Sequence, residues 1–266
     1  FSGGIDISRG VSQLFGIDLA ENFRRPYFSR NISEYWHRWH ITLGAWLREY
    51  LFYPIAMSKL FQKFGRSLKK HFGMKISKVL PVGIASLITF IVVGIWHGAY
   101  WRYVGFGLWN GLIIMVSTLL EDKYAVWKKT LHIRDTNKLF ILFQMFRTFL
   151  IVLVGYYFDI APGFTAALKM MWLSITDFHI SELADPAIFD ALGVSSASLI
   201  LVAIAVLALL VCSIVQECSG RTLREMICSK GFWAEAGVFL LLFWVVAIFG
   251  VYGPGTNPAE FVYMQF

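Results

Sequence analysis

Five long apolar runs constrain the fold of this chain more than any other feature. Together they hold a single charged residue, Arg147. A helix of about 20 apolar residues crosses the roughly 30 Å core of a bilayer, and it satisfies its own backbone hydrogen bonds there. The sequence therefore predicts an all-α, polytopic membrane helix bundle, formed as a single membrane domain over residues 1–266. The runs are residues 79–98, 103–120, 139–158, 198–215 and 236–252.

The positive charges are distributed unevenly between the loops. Fifteen lysines and arginines lie in the loops at 59–78, 121–138 and 216–235, whereas the loops at 99–102 and 159–197 hold two. Cytoplasmic loops carry such an excess of Lys and Arg, so we predict that the first three loops are cytoplasmic in a multi-pass protein of the cell membrane. These loops also account for the net charge of +7, and nucleic acid is not an expected partner.

The segment from Asn31 to Pro54 has a composition that is unusual for a soluble helix. Its apolar and aromatic residues recur at steps of three and four, which predicts one helix, capped by Asn31 or Ser33. Tryptophan and tyrosine favour membrane interfaces, so we expect this helix to lie shallow or to be re-entrant. An interfacial anchor with incidental histidines is the alternative interpretation. The shared face consists of Trp36, Trp39, His40, Leu43, Leu47 and Tyr50.

His97 is a titratable residue at the end of an apolar run, in the sequence Gly94-Ile95-Trp96-His97-Gly98. An ionisable group at membrane depth is costly and usually functional. A neutral imidazole there can act as a general base. The alternative is a structural histidine that hydrogen-bonds a neighbouring helix.

Other chemistry has weaker signals. Glu34, His37 and His40 are spaced three apart, but this is not the HExxH pattern, and we predict no metal site. The three cysteines, Cys212, Cys218 and Cys228, are expected to be reduced thiols, and no GxSxG, Walker A or Rossmann motif is present. Arg147 needs a partner at its depth, such as a carboxylate, a backbone carbonyl or a bound anion.

Three stretches carry a resemblance to a known family: FSGGIDISRGVSQLFGI, NFRRPYFSRNISEYWHRWHITLGAWLREYLFYP and GIWHG. Together they resemble the membrane-bound O-acyltransferase (MBOAT) family, in the bacterial branch of alginate O-acetyltransferases and teichoic-acid D-alanyltransferases. The resemblance is specific from Phe1 to about Gly111 and continues weakly to GPGTNPAEFVYMQF. The family's two signature histidines fall on His40 and His97, and the chain departs from the family at His37, where Arg or Asn is more usual.

The resemblance implies a bundle around a central tunnel, of which this chain would form about the C-terminal half. It implies transfer of an acyl group, usually acetyl, from a cytoplasmic thioester to a hydroxyl on an extracytoplasmic glycan or partner protein. His97 would be the general base, and His40 would orient substrate or stabilise developing charge. No cofactor is expected to be bound; acetyl-CoA or an acyl-carrier-protein thioester is the co-substrate. The expected substrate-binding residues are Trp36, Arg38, Trp39, Arg48 and Trp96.

Other functions stay open at this stage. D-alanyl transfer to teichoic acid would use the same fold. A transporter or flippase would use Arg147 and the charged entry helix to line a pathway, and a non-catalytic membrane scaffold is a third class. The partners expected for an acyltransferase are membrane lipids, the acyl donor or its carrier protein on the cytoplasmic side, and an extracytoplasmic acetyltransferase or glycan acceptor.

Overall fold

The computed structural model describes residues 1–181, 185–191 and 195–250. The described residues fall into two compact units, Phe1–Phe178 and His179–Phe266. Within them every regular element is helical, as the predicted all-α fold class requires. The single domain over residues 1–266 stays a prediction. The C-terminal GPGTNPAEFVYMQF, and the last two residues of the fifth apolar run, lie outside the described residues.

The first unit contains nine α-helices and two short irregular helical turns. The turns are a 3-10 turn over Pro26–Phe28 and a π-helical turn over Arg48–Phe52. The α-helices are α1 (Ser2–Leu14), α2 (Ile32–Arg38), α3 (Ile41–Leu47), α4 (Tyr53–Ala56), α5 (Lys59–His97), α6 (Trp101–Leu119), α7 (Glu121–Thr130), α8 (Lys138–Ile160) and α9 (Phe164–Thr176).

The second unit contains four helices among its described residues: α10 (Pro186–Ala191), α11 (Ser196–Ser219), α12 (Leu223–Cys228) and α13 (Phe232–Phe249). Ser195 caps α11, and Thr222 with Glu225 forms a capping box at the start of α12. The turns between these helices use Gly220 and Gly231, both at positive φ.

Four helices, α5, α8, α11 and α13, are long and apolar enough to cross a membrane. The second predicted run, 103–120, is long and apolar enough to cross only if α6 and α7 are taken together as one span. The two helices meet at a bend of 57°. The structure therefore supports four crossings, or five if the bent pair forms one span. The apolar stretch after Pro162 forms α9, whose 13 residues make it an interfacial or re-entrant helix by length.

The predicted loop at 59–78 is wrong as a loop, because it is helical. Lys59 begins α5, and the helix is interrupted at Gly73, where φ is 80°. Glycine alone adopts such an angle without strain, so the chain turns there. Lys75 pairs with Asp122 at 2.5 Å, which supports the prediction that this basic segment and the segment 121–138 lie on one side of the membrane.

Helices α5 and α6 approach each other through glycine. A Cβ atom at Gly94 would collide with the backbone oxygen of Tyr103, and one at Gly107 would collide with that of Phe90. Such close backbone contact is the usual basis of helix association in membranes. Helices α8 and α9 complete this core, which contains the buried residues Val93, Phe106, Phe158, Ala161 and Ala167.

The segment from Asn31 to Pro54 is not one helix, contrary to the prediction. Asn31 does cap α2 by accepting from the Glu34 amide at 2.8 Å. The helix then ends, Trp39 is extended, and His40 has a φ of 47°. The π-helical turn precedes Pro54, which has no amide hydrogen to continue a regular α-helical ladder.

Candidate active site

A second backbone segment causes the break before His40. The amide of Arg24 donates to the carbonyl of Arg38 at 2.9 Å, and the amide of Ile41 donates to the carbonyl of Asn22 at 3.0 Å. These bonds form an antiparallel bridge between Phe23 and Trp39. They replace the i to i−4 bonds that would have continued α2, so His40 leaves the helix and takes the left-handed conformation.

The side chain of Asn22 completes this arrangement. Its Oδ1 atom lies 3.1 Å from Nδ1 of His40, 3.2 Å from the amide nitrogen of Thr42 and 2.6 Å from Oγ1 of Thr42. The imidazole is half-buried among the rings of Phe1, Phe23 and Trp96. Burial lowers the pKa of the His40 imidazole. The ring therefore stays neutral at pH values where an exposed histidine would be protonated.

His97 is the last residue of α5. Its ring packs edge-on against Trp96 at 5.0 Å and Phe106 at 5.6 Å, between ring centroids. Gly98 ends the helix with a φ of 152°, and a Cβ atom there would lie 2.6 Å from the Tyr103 ring. Within the part of the chain that the structure describes, His97 has no hydrogen-bond partner, so both ring nitrogens are available to a ligand.

The structure brings His40 and His97 together. Trp96 lies between them, with its ring centroid 6.4 Å from that of His40 and 5.0 Å from that of His97. The two imidazoles are close enough to interact electrostatically. Two histidines that are 57 positions apart in the sequence therefore share one corner of the first unit, where Trp96 is 55% exposed.

A cavity of about 280 Å³ opens beside this corner. Five of the six residues of the predicted shared face line it, although the helix is broken; only Tyr50 does not. Helix α5 supplies the facing wall with Ser86, Thr89, Phe90 and Val93. His40 belongs to the lining, whereas His97 does not, so the opening of both imidazoles into one cavity stays a prediction.

The predicted substrate-binding residues take different positions. Trp36, Trp39 and Arg48 line the cavity, and Trp96 packs between the histidines. Arg38 does not line it, because its guanidinium pairs with Glu34 at 2.7 Å and also contacts the carbonyl of Arg25. The contact with Arg25 ties Arg38 to the turn before α2, and its role in substrate binding stays a prediction.

Trp36 has one feature that sequence reasoning did not anticipate. Its Nε1 atom is buried and has no hydrogen-bond partner among the described residues. Its ring contacts Phe90 and Phe106 edge-on, so the indole joins the cavity wall to the core of α5 and α6. A buried donor without a partner is costly.

His37 lines the cavity, and its Nδ1 donates to the carbonyl of Ser33 at 2.6 Å. No group of three histidine, cysteine, aspartate or glutamate residues with metal-binding geometry occurs in the described residues. That no metal is bound stays a prediction.

Arg147 has one of the partners predicted for a charge within an apolar run, a backbone carbonyl. Its NH2 group donates to the backbone carbonyl of Arg30 at 2.9 Å, which ties α8 to the turn before α2. The roles of Asn22 and Thr42 were missed. Asparagine is common in turns, and nothing in the spacing from Asn22 to His40 indicates that the two side chains meet.

Comparison with known proteins gives consistent relatives. The chain is 31% identical over 210 residues to the probable alginate O-acetylase AlgI of Azotobacter vinelandii, which is 77% of this chain and 36% of that protein. It is 28% identical over 157 residues to the teichoic acid D-alanyltransferase of Bacillus subtilis, covering 59% of this chain and 36% of the relative. It is 34% identical over 116 residues to the peptidoglycan O-acetyltransferase of Helicobacter pylori, covering 44% and 19%.

No protein-family model matches the chain. The chain spans about a third of the length of the curated relatives it matches most extensively. Those relatives are MBOAT-type proteins, and the all-helical fold with membrane-spanning helices is consistent with them. The chain belongs to the membrane-bound O-acyltransferase family.

Proposed function

We propose that the complete protein is a membrane O-acyltransferase of the cell membrane. It transfers an acyl group, acetyl in the first instance, from a cytoplasmic thioester to a hydroxyl of an extracytoplasmic glycan. The observation that carries this proposal is that His40 and His97 both pack against Trp96 beside a mainly apolar cavity. The names of the relatives support acyl transfer to cell-surface polymers.

The chemistry assigned to His97 is general-base catalysis. Its free imidazole nitrogen takes the proton of the acceptor hydroxyl as the oxygen attacks the thioester carbonyl carbon. The tetrahedral intermediate collapses, the carbon–sulfur bond breaks, and the protonated imidazole returns the proton to the leaving thiolate. The products are an ester and a free thiol, and no acyl-enzyme forms. A positioned base of this kind typically contributes about 10²–10⁴-fold.

Arg48 is suited to the donor. Its side chain lies on the cavity wall and has no ion-pair partner among the described residues. Coenzyme A and the prosthetic arm of acyl-carrier proteins both carry phosphate, which an arginine binds through charge-assisted hydrogen bonds. The apolar part of the lining would contact the acyl chain and the neighbouring methylene groups.

Acetyl transfer is preferred to D-alanyl transfer because the match to the alginate O-acetylase is longer than that to the D-alanyltransferase, 210 against 157 residues. Supplying membranes with an acetyl thioester or with a D-alanyl thioester, in parallel, separates the two. Formation of a D-alanyl ester alone would reassign the donor while leaving the site intact.

Substitution of His97 tests the proposal. In the complete protein, His97→Ala should abolish acyl transfer, and His97→Gln should be nearly as damaging, because an amide cannot accept the proton. The measurement is acylated acceptor per unit of membrane-embedded enzyme. The matched control is His71→Ala, which removes an exposed imidazole from the first part of α5 and should leave the specific activity unchanged.

Three outcomes would contradict this proposal. Wild-type specific activity in His97→Ala would eliminate the base. Rescue by glutamine, with lower abundance of the alanine variant, would indicate a structural histidine. Movement of a substrate across the membrane without covalent change would point instead to the transporter class.

A further inference from the structure

The contacts of Asn22 determine which nitrogen of His40 carries a proton. A backbone amide only donates, and the amide of Thr42 points at the same Asn22 atom as Nδ1 of His40, at 3.2 Å and 3.1 Å. That atom is therefore the amide oxygen, an acceptor. Nδ1 of His40 must then be the donor in its contact, and in the neutral ring the proton lies on Nδ1 and not on Nε2.

We propose that Asn22 is a positioning residue that holds His40 as the Nδ1–H tautomer, so that its Nε2 lone pair accepts a hydrogen bond from an acceptor hydroxyl next to the one that His97 deprotonates. The proposal rests on the proposed acyl transfer and refines it. It chooses between the two roles considered for His40, because an unprotonated Nε2 orients a hydroxyl, whereas stabilisation of an oxyanion would require a donor.

The backbone reinforces the same assignment. The carbonyl of Asn22 accepts from the amide of Ile41 at 3.0 Å, directly after His40, while its side chain holds the imidazole. One residue thus fixes both the left-handed backbone of His40 and the orientation of its ring. A non-glycine residue at positive φ is strained, and such strain is concentrated at functional sites.

The surroundings keep this ring neutral. Its ring neighbours are Phe1, Phe23 and Trp96, and no carboxylate among the described residues contacts it. The titratable group facing it from α5 is His97, and His37 and Arg48 lie on the same cavity wall. The charged side chains next to Asn22 and on α2 are already paired, in the ion pairs Arg24–Glu21 and Arg38–Glu34. Burial lowers the pKa of the His40 ring more than a hydrogen bond with the backbone of His40 itself raises it.

The experiment combines a spectroscopic signature with kinetics in the complete protein. Nitrogen-15 NMR of histidine-labelled protein in membranes reports which ring nitrogen is protonated, and His40→Ala assigns the signal. Acyl transfer is measured in parallel for Asn22→Ala and Asn22→Asp. The matched control is Asn137→Ala, which removes the cap of α8 far along the chain from His40 and should change neither readout.

We expect the wild-type His40 signal to show a protonated Nδ1 and an unprotonated Nε2. Asn22→Ala should mix the two tautomers and lower kcat at least tenfold, with little change in KM for the thioester. The loss should not exceed the roughly 10²–10⁴-fold that a positioned base contributes. Asn22→Asp keeps an acceptor for Nδ1–H, so the tautomer and most of the activity should survive. Its negative charge favours the imidazolium, so the acidic limb of the pH profile should move to higher pH.

Each contrary result has a distinct meaning. A wild-type His40 with its proton on Nε2, or an Asn22→Ala variant with unchanged signal and kcat, would overturn the proposal. Lower abundance of Asn22→Ala at normal specific activity, with no pH shift in Asn22→Asp, would reduce Asn22 to a structural residue. The predicted tautomer without any acyl transfer in the wild type would reject the function but leave the geometry established.

Discussion

The two units of the chain use equally apolar helices in different ways. A third of the most apolar stretch of α5 is buried, whereas none of the corresponding stretches of α11 or α13 is. All three helices are long and apolar enough to cross a membrane. Apolar length is therefore sufficient for a spanning helix, but it does not indicate which helix will pack closely against others or carry a site.

Glycine placement accounts for much of the difference. In the first unit, a Cβ atom added at Gly94, Gly107 or Gly111 would lie under 3.0 Å from atoms of the neighbouring helix. In the second unit, the helical Gly237 has no neighbour within 4 Å of an added Cβ. Lipid tails are as apolar as leucine side chains, so close packing rather than apolarity holds membrane helices together. The close crossing of α5 and α6 fixes the end of α5, where His97 lies.

Gly107→Val should have the largest effect on the contrast between the units. Its Cβ would collide with the backbone oxygen of Phe90 and would lie 2.9 Å from Cα of Ile91, and backbone atoms cannot move aside as a side chain would. Overpacking costs about 1–3 kcal/mol and occasionally more, out of a typical total of about 5–15 kcal/mol. We expect a clearly lower monodisperse fraction after detergent extraction than for the wild type.

The matched control for this variant is Gly10→Val in α1, where nothing lies within 4 Å. It makes the same change of side chain in the same unit and should leave the monodisperse fraction near that of the wild type. If Gly107→Val behaved like Gly10→Val, the α5–α6 crossing would not have the close contact that distinguishes the first unit.

Arg147→Met should have an intermediate effect. It keeps the length of the side chain in α8 but removes the donor to the carbonyl of Arg30. An acceptor left without its partner costs about 1–3 kcal/mol, so the midpoint of thermal unfolding should fall by several degrees. Lys169→Met, which removes an exposed cation from α9, is the control and should leave the midpoint unchanged. An equal fall in both would assign the effect to net charge and not to the bond.

Sequence reasoning succeeded where the controlling interaction is local. The Asn31 cap and the apolar runs both follow from residue type and spacing along one helix. It failed at Gly73 and at the break before His40. At Gly73, a single glycine within a basic stretch gave no sign that a helix turns there. Before His40, the helical period continues unbroken in the sequence. The helix ends there because the segment from Asn22 to Arg24 takes over its hydrogen bonds.

Gly237→Ala in α13 should have the smallest effect, and it tests the second unit directly. Alanine is favoured over glycine within a helix by about 1 kcal/mol, and an added Cβ meets nothing within 4 Å. We therefore expect a midpoint of thermal unfolding equal to or slightly above that of the wild type, with unchanged acyl transfer. Gly94→Ala is the counterpart in α5, where the same methyl group would collide with the backbone of Tyr103, and its midpoint should fall. A comparable fall in Gly237→Ala would mean that another helix covers this face of α13 in the complete protein. The difference between the two units would then reflect which helices surround them and not how their own helices are built.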